Sequence, residues 1–251
     1  MISRREAISR LIIGSSYLAA TAVIAQSKVQ QAAPFVQLIY PSIKSLNEAK
    51  LFGYSNPSEK EKRKADDIVE ATPKGPTPID VAQSFVNRFY KSDPAAISQW
   101  PAPAAWNPLI VEFFSATTLK VDNDMVAWCA AFANWCLKRS ARTGSQSAAS
   151  QSFLSATDFK RNSDPKVGDL AVFTCYDKDN GSSLGLGHVA FVKAKPTNGR
   201  VLVLGGNQSA DGHSSVISER YFPTDAQIVK RHVAGKYVDC NMKLNTYITI
   251  V

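Results

Sequence analysis

The stretch Trp128-Cys129-Ala130-Ala131-Phe132-Ala133-Asn134-Trp135-Cys136-Leu137-Lys138-Arg139 decides the fold. At 100° per residue its apolar positions cover nearly every direction, with Asn134, Lys138 and Arg139 as its polar residues. A helix that is apolar almost all round packs in the middle of a domain, so a buried helix is expected over about Ala127 to Ala141. Upstream the texture is helical. Ser58 is a good N-cap for a helix to Ala71, with Ala65, Ile68, Val69 and Thr72 on one stripe. Thr77-Pro78 and Asn107-Pro108 each pair an N-cap residue with proline at the first helical position. Val81, Phe85, Val86 and Phe89 follow the first pair, and Leu109, Ile110, Phe113 and Phe114 the second.

Beyond Gly144 short strands with turn signals take over. Gly168–Cys175, Gly187–Ala194 and Arg200–Gly205 read as strands, with Val216–Ser218 and Ile228–His232 as weaker ones. Asp179-Asn180-Gly181 and Thr197-Asn198-Gly199 read as turns. Helices first and an antiparallel sheet afterwards predict the α+β class, not a doubly wound α/β fold.

The chain has 251 residues, 45% hydrophobic and 20% charged, which excludes a disordered chain. Its charge of +8 is scattered. The densest run, Lys60 to Lys64, is broken by Glu61 and adjoins Asp66 and Asp67, so it reads as a solvated helix face. A nucleic-acid partner, which calls for clustered charge and interleaved aromatics, is not expected. Four cysteines are too few for a disulfide scaffold. The isolated His and Cys residues lack zinc-ligand spacing, so no metal and no cofactor are expected.

The first 25 residues read as a targeting segment. Ser3-Arg4-Arg5 and Arg10 precede a modest apolar run, Leu11 to Ala25, and small residues stand before Gln26. About 15 helical residues rise only ~22 Å, short of the ~30 Å hydrocarbon core. The paired arginines resemble a twin-arginine export signal, with an ordinary secretory signal as the alternative. The mature chain is then expected to work outside the cytoplasm, periplasmic or secreted, with no stable membrane insertion. Its loss of three positive charges and one negative leaves +6 of the +8. Residues 26–75 read as an extension ending in the linker Thr72-Pro-Lys-Gly-Pro-Thr-Pro, and residues 76–251 as the functional domain.

Three positions carry candidate chemistry. Cys129 sits early in the buried helix, where unpaired backbone N–H groups lower a thiol pKa; a small buried core cysteine is the plain alternative. His188 opens the strand Gly187-His188-Val189-Ala190-Phe191-Val192 and is placed to exchange a proton with a thiol. His213, in a polar turn, and His232, beside Arg231, are weaker candidates. Gly205-Gly206-Asn207-Gln208-Ser209 ends the next strand, and an Asn207 amide oxygen there is suited to orient an imidazole. Cys129 and Cys136, about 10 Å apart along one helix, cannot pair, so Cys136, Cys175 and Cys240 allow at most one internal disulfide.

In this order the motifs Trp128 to Phe132, Gly168-Asp169, Gly187 to Val189 and Gly205 to Ser209 resemble a papain-like bacterial hydrolase of the CHAP or NlpC type. More closely, they resemble a CHAP-related family with these signatures, and Asn107-Pro108 also fits it. The resemblance covers about Pro76 to His232. It implies a papain-like α+β fold, in which N-terminal helices and a buried nucleophile helix pack on an antiparallel sheet. It also implies a Cys129–His188–Asn207 triad and cleavage of amide bonds in peptidoglycan or its peptide fragments, as an amidase or endopeptidase. In the expected mechanism the Cys129 thiolate attacks a carbonyl, His188 protonates the leaving amine, and the Cys129 N–H with Gln208 serves the oxyanion. Two departures stand out. Met125, Val126 and Ala127 replace the acidic, hydroxyl and proline residues of the turn before the nucleophile. No arginine or tryptophan stands near Ser152 and Phe153. The rival readings are an inert cell-wall-binding or interaction module on the same fold and a secreted toxin aimed at other cells' walls.

Overall fold

The computed structural model describes residues 55–100, 105–155, 158–209, 215–233 and 236–250. The expected signal segment, residues 26–54 and His213 lie outside the described residues, as does the side chain of His232.

Helix α1 spans Glu59–Glu70. It starts with a capping box, because Ser58 Oγ accepts from the Glu61 N–H and Glu61 accepts from the Ser58 N–H at 2.7 Å. Helix α2, Pro78–Phe85, repeats the device with Thr77 and Asp80, and continues into a wider turn over Val86–Tyr90. Helix α3, Pro108–Phe113, is capped by Asn107 Oδ1, which accepts from the Leu109 N–H at 3.0 Å. Helix α4 is Cys129–Arg139, buried from Cys129 through Leu137. A short turn, α5, covers Ser152–Ser155. The rings of Phe85, Phe113, Phe132 and Trp135 meet edge-on at centroid distances of 5.1 to 5.8 Å and tie α2 and α3 to α4. Truncating one such ring to alanine costs about 3–5 kcal/mol in a packed core.

The boundary expected near Gly75 does not separate α1 from the core. Ala65 and Ile68 of α1 belong to the same buried cluster as Leu109 and Trp135. Arg139, in the last turn of α4, donates from Nη2 to the carbonyls of Val69 at 2.9 Å and Thr72 at 2.6 Å. A guanidinium thus satisfies the carbonyls that the end of α1 leaves open.

The strands are β1 (Lys160–Asn162), β2 (Leu170–Asp177), β3 (Ser183–Thr197), β4 (Arg200–Gln208), β5 (Val216–Pro223), β6 (Gln227–Val233) and β7 (Lys236–Thr249). All pairings are antiparallel, in the order β1-β7-β2-β3-β4-β5, with β6 on β7. Side chains alternate faces along each strand, so the sheet builds two cores. Leu170, Val172, Val189, Phe191 and Leu204 pack on the helices, while Ala171, Phe173, Ala190, Val192 and Val203 fill the other side with Phe222 and Val229. The register shifts between Val172↔Thr246 and Phe173↔Leu244. This one-residue bulge reverses the parity of β7, so Cys240 and Met242 share a face with Tyr247 while Ile248 turns to the helices.

The antiparallel α+β architecture agrees with the sequence reading. Strand β7, which pairs with three others, is an addition to it. Among the described residues no helix is long and apolar enough to cross a membrane.

Candidate active site

Cys129 begins α4 and is 4% exposed. Gly206 and Val189 bring β4 and β3 against that first turn, and Gly187 lets β3 lie close to β2. Gly206 has no side chain, and a Cβ there would lie 2.2 Å from Trp128 Cζ3 and 2.9 Å from Phe132 Cβ. Gly187 likewise admits the Phe173 carbonyl and the Gln151 amide, either of which a Cβ would strike. Val189 points its backbone N–H at the Cys129 sulfur. The thiol therefore meets the peptide group that joins His188 to Val189.

His188 is paired with Phe173 across the β2–β3 ladder. Its ring stacks on Phe222, with centroids 5.3 Å apart and planes at 17°, and leans on Phe173 at 6.4 Å. Burial, then the positive charges of Arg231 and Arg220, push its pKa down to about 3. The imidazole is accordingly neutral at physiological pH.

Burial also governs the thiol. It pushes the Cys129 pKa up, against the Val189 and Ala130 backbone N–H groups and the Arg231 guanidinium, which favour the thiolate. The sequence reading expected the helix N-terminus to lower the thiol pKa, with a plain buried core cysteine as the alternative. In the folded protein desolvation outweighs the helix N-terminus, and the thiol stays neutral. The His188 ring, stacked on Phe222 and Phe173, lies with Ala190 and Val192 on the sheet face away from α4, so the structure does not bring the imidazole to the Cys129 sulfur as the sequence reading expected.

Asn207 is buried, with φ of 58° in the left-handed region that asparagine tolerates better than most residues. Its Oδ1 accepts from the Ser215 hydroxyl. Gln208 is fully buried, with Oε1 accepting from Ser218 Oγ at 3.5 Å. Its Nε2 lies over Gly205, 2.7 Å from where a Cβ would stand, and has no hydrogen-bond partner among the described residues. Gly205 faces Ala190 and Gly206 faces Trp128, on opposite sides of β4. Gln208 thus packs on the face away from the start of α4, which does not fit the oxyanion role expected of it.

Residues that the sequence reading passed over hold the site together. Asp124, in the turn before α4, accepts on Oδ2 from the backbone N–H groups of Trp100 and Asn107, each at 2.9 Å. Gln99 donates its side-chain amide to the Asp124 carbonyl at 2.6 Å and its backbone N–H to the Ser215 carbonyl at 2.8 Å. A continuous hydrogen-bonded path therefore runs from the turn before Cys129, through Gln99 and Ser215, to Asn207. Burial pushes the Asp124 carboxyl up to about 7, partly offset by those backbone donors. Gln151 is the second addition. It donates to the Phe173 carbonyl at 2.9 Å and accepts from Thr174 Oγ1 at 2.7 Å, fixing β2 opposite His188. Nothing local in Asp122-Asn123-Asp124 marks one of its carboxylates as a buried anchor.

Among the described residues, no group of three or more His, Cys, Asp and Glu is placed to hold a metal ion. His188, Asn207 and Cys129 fall within residues 121–207, which match the family model of the CHAP domain. No curated protein and no solved structure shows significant similarity to the chain. The match spans the turn before α4, α4 itself, the β2–β3 ladder and β4 as far as Asn207, about a third of the chain, and over these residues the protein is similar to CHAP domains.

Proposed function

We propose that this chain is an exported cysteine hydrolase that cleaves amide bonds in peptidoglycan, as an amidase or endopeptidase, using Cys129, His188 and Asn207. The CHAP match supports the coarser statement, a peptidoglycan hydrolase of the cysteine- and histidine-dependent kind. The observation that carries the finer reading is the seating of the Cys129 sulfur, at the first turn of α4, on the Val189 N–H, next in β3 to His188.

The reaction requires the His188 ring to leave its stack on Phe222 and turn to the sulfur, where it acts first as a base. It takes the thiol proton as the sulfur attacks the substrate carbonyl, and the C–S bond forms. The carbonyl oxygen gains the negative charge at the start of α4, where the Cys129 backbone N–H is a preorganised donor. The imidazolium then returns its proton to the amine nitrogen, the C–N bond breaks and a thioester remains. Water, deprotonated by the same imidazole, releases the acid and regenerates the thiol. Asn207 serves as a positioning residue, its amide held through Ser215 by the path that begins at Asp124. The mature charge of +6 suits an anionic wall, and a twin-arginine signal accounts for export to the periplasm or beyond.

The rival, an inert cell-wall-binding module on this fold, draws support from the near-complete burial of both Cys129 and His188. An activity-based thiol probe separates the two. Selective labelling of Cys129 in the folded protein at neutral pH is expected of the enzyme. Labelling only after unfolding is expected of the inert module.

A further inference from the structure

On the sheet face away from the helices, β2 and β7 bring together two thiols that the proposed reaction does not use. Cys175 pairs with Met242 and Asp177 pairs with Cys240, so Cys175 and Cys240 are diagonal neighbours on one face. Both are fully buried in the same cluster, and their thiols hydrogen-bond to each other. Arg231, buried on β6, hydrogen-bonds to Cys175 and donates from Nη2 to Met242 Sδ at 3.2 Å. Cys136 lies in the helix-side cluster instead.

We propose that Cys175 and Cys240 form a redox-active dithiol, which peroxide converts to a disulfide stapling β2 to β7 beneath the site. The two sulfurs are differentiated for the task. The hydrogen bond from Cys240, with the Arg231 guanidinium, pulls the Cys175 thiol down against the effect of burial. The same contact and burial push Cys240 up, so it keeps its proton. The Cys175 thiolate attacks one oxygen of hydrogen peroxide, the O–O bond breaks, and hydroxide leaves and becomes water by taking up a proton. Cys175 is then a sulfenic acid. The Cys240 sulfur attacks the Cys175 sulfur, the S–O bond breaks, and the departing hydroxyl leaves as water with the Cys240 proton. Two thiols have lost two hydrogens, and one peroxide has become two waters. Diagonal neighbours on adjacent strands stand about 7–8 Å apart, so closing the disulfide draws β2 and β7 together by about an ångström. Neither thiol of the helix, Cys129 or Cys136, has a partner in that relation.

The reduced full-length chain, treated with a small excess of hydrogen peroxide, alkylated in denaturant and digested without reductant, tests this. A peptide cross-linked through Cys175 and Cys240 is expected, two hydrogens lighter than its reduced halves and retained in Cys129→Ser. In Cys240→Ser, Cys175 is expected to stop at the sulfenic acid and to be trapped by dimedone. Recovery of Cys175 and Cys240 both alkylated, while Cys129 is oxidised, would overturn the proposal, as would a cross-link through Cys136. The wild-type mapping alone decides the matter if a variant fails to fold. It is independent of hydrolase activity, so either reading can fail without the other.

Discussion

At Cys129 two opposing effects act on one sulfur. A helix start and the Val189 N–H favour the thiolate, and removal from water disfavours it by more. With His188 neutral down to about pH 3, no imidazolium stands ready to hold a thiolate in the resting protein. The expected consequence is an alkylation rate for Cys129 that climbs about tenfold per pH unit from 7 to 9, following the thiolate fraction. Iodoacetamide kinetics read by intact mass check this. A rate that is flat between pH 5 and 8 would instead reveal a preformed ion pair. Asn207 permits a complementary test, since glycine relieves a left-handed backbone at no steric cost. Asn207→Gly is expected to fold with stability within about 1 kcal/mol of wild type. Its kcat should fall at least about tenfold at little change in KM, which separates positioning from folding.

At the scale of elements, the first turn of α4 rests on β4 because Gly206 leaves room for the Trp128 ring. Gly206→Ala inserts a methyl where the indole carbons stand, and a destabilisation of about 1–3 kcal/mol is expected by urea denaturation. Much of this layer was legible beforehand. Ser58, Thr77 and Asn107 announce helix starts through chemistry confined to a few residues, and each caps in the fold as its type demands. The all-round apolarity of Trp128–Leu137 likewise required a buried helix. Strand β7 escaped because its alternation, Cys240-Met242-Leu244 against Asp239-Asn241-Lys243, breaks at the bulge opposite Val172 and Phe173. Either half alone is too short and too polar to declare a strand. The helix–sheet placement of Cys129 followed from order along the chain. The outcome for its proton did not, because burial is a sum over the whole fold. Asp124 and Gln151 were invisible for a related reason, as their partners lie 17 to 25 residues away.

Over the whole molecule, two buried titrating groups pull stability in opposite directions. Asp124 has an ordinary value of 3.8 and a folded value of about 7. The folded state keeps a proton that the unfolded chain gives up, so its contribution falls as pH rises from about 4 to about 7. His188 has an ordinary value of 6.5 and a folded value of about 3. The unfolded chain there binds the extra proton, so its contribution is present above pH 6.5 and is lost as pH falls towards 3. Each reaches a slope of about 1.4 kcal/mol per pH unit where it acts alone, and between pH 4 and 6.5 the two largely cancel. Wild type is therefore expected to show a shallow profile in that interval by urea denaturation. Asp124→Asn should become steeper, gaining stability as pH rises, and His188→Gln should lose stability as pH rises.

All of this converges on one reaction at one sulfur, and the direct measurement is mass spectrometry of the fragments released from purified sacculi by wild type and by Cys129→Ala. Wild type is expected to release muropeptides whose new termini define a single class of amide bond, and Cys129→Ala, folded and equally able to bind the wall, is expected to release none above buffer. Equal release by the two proteins would contradict the account.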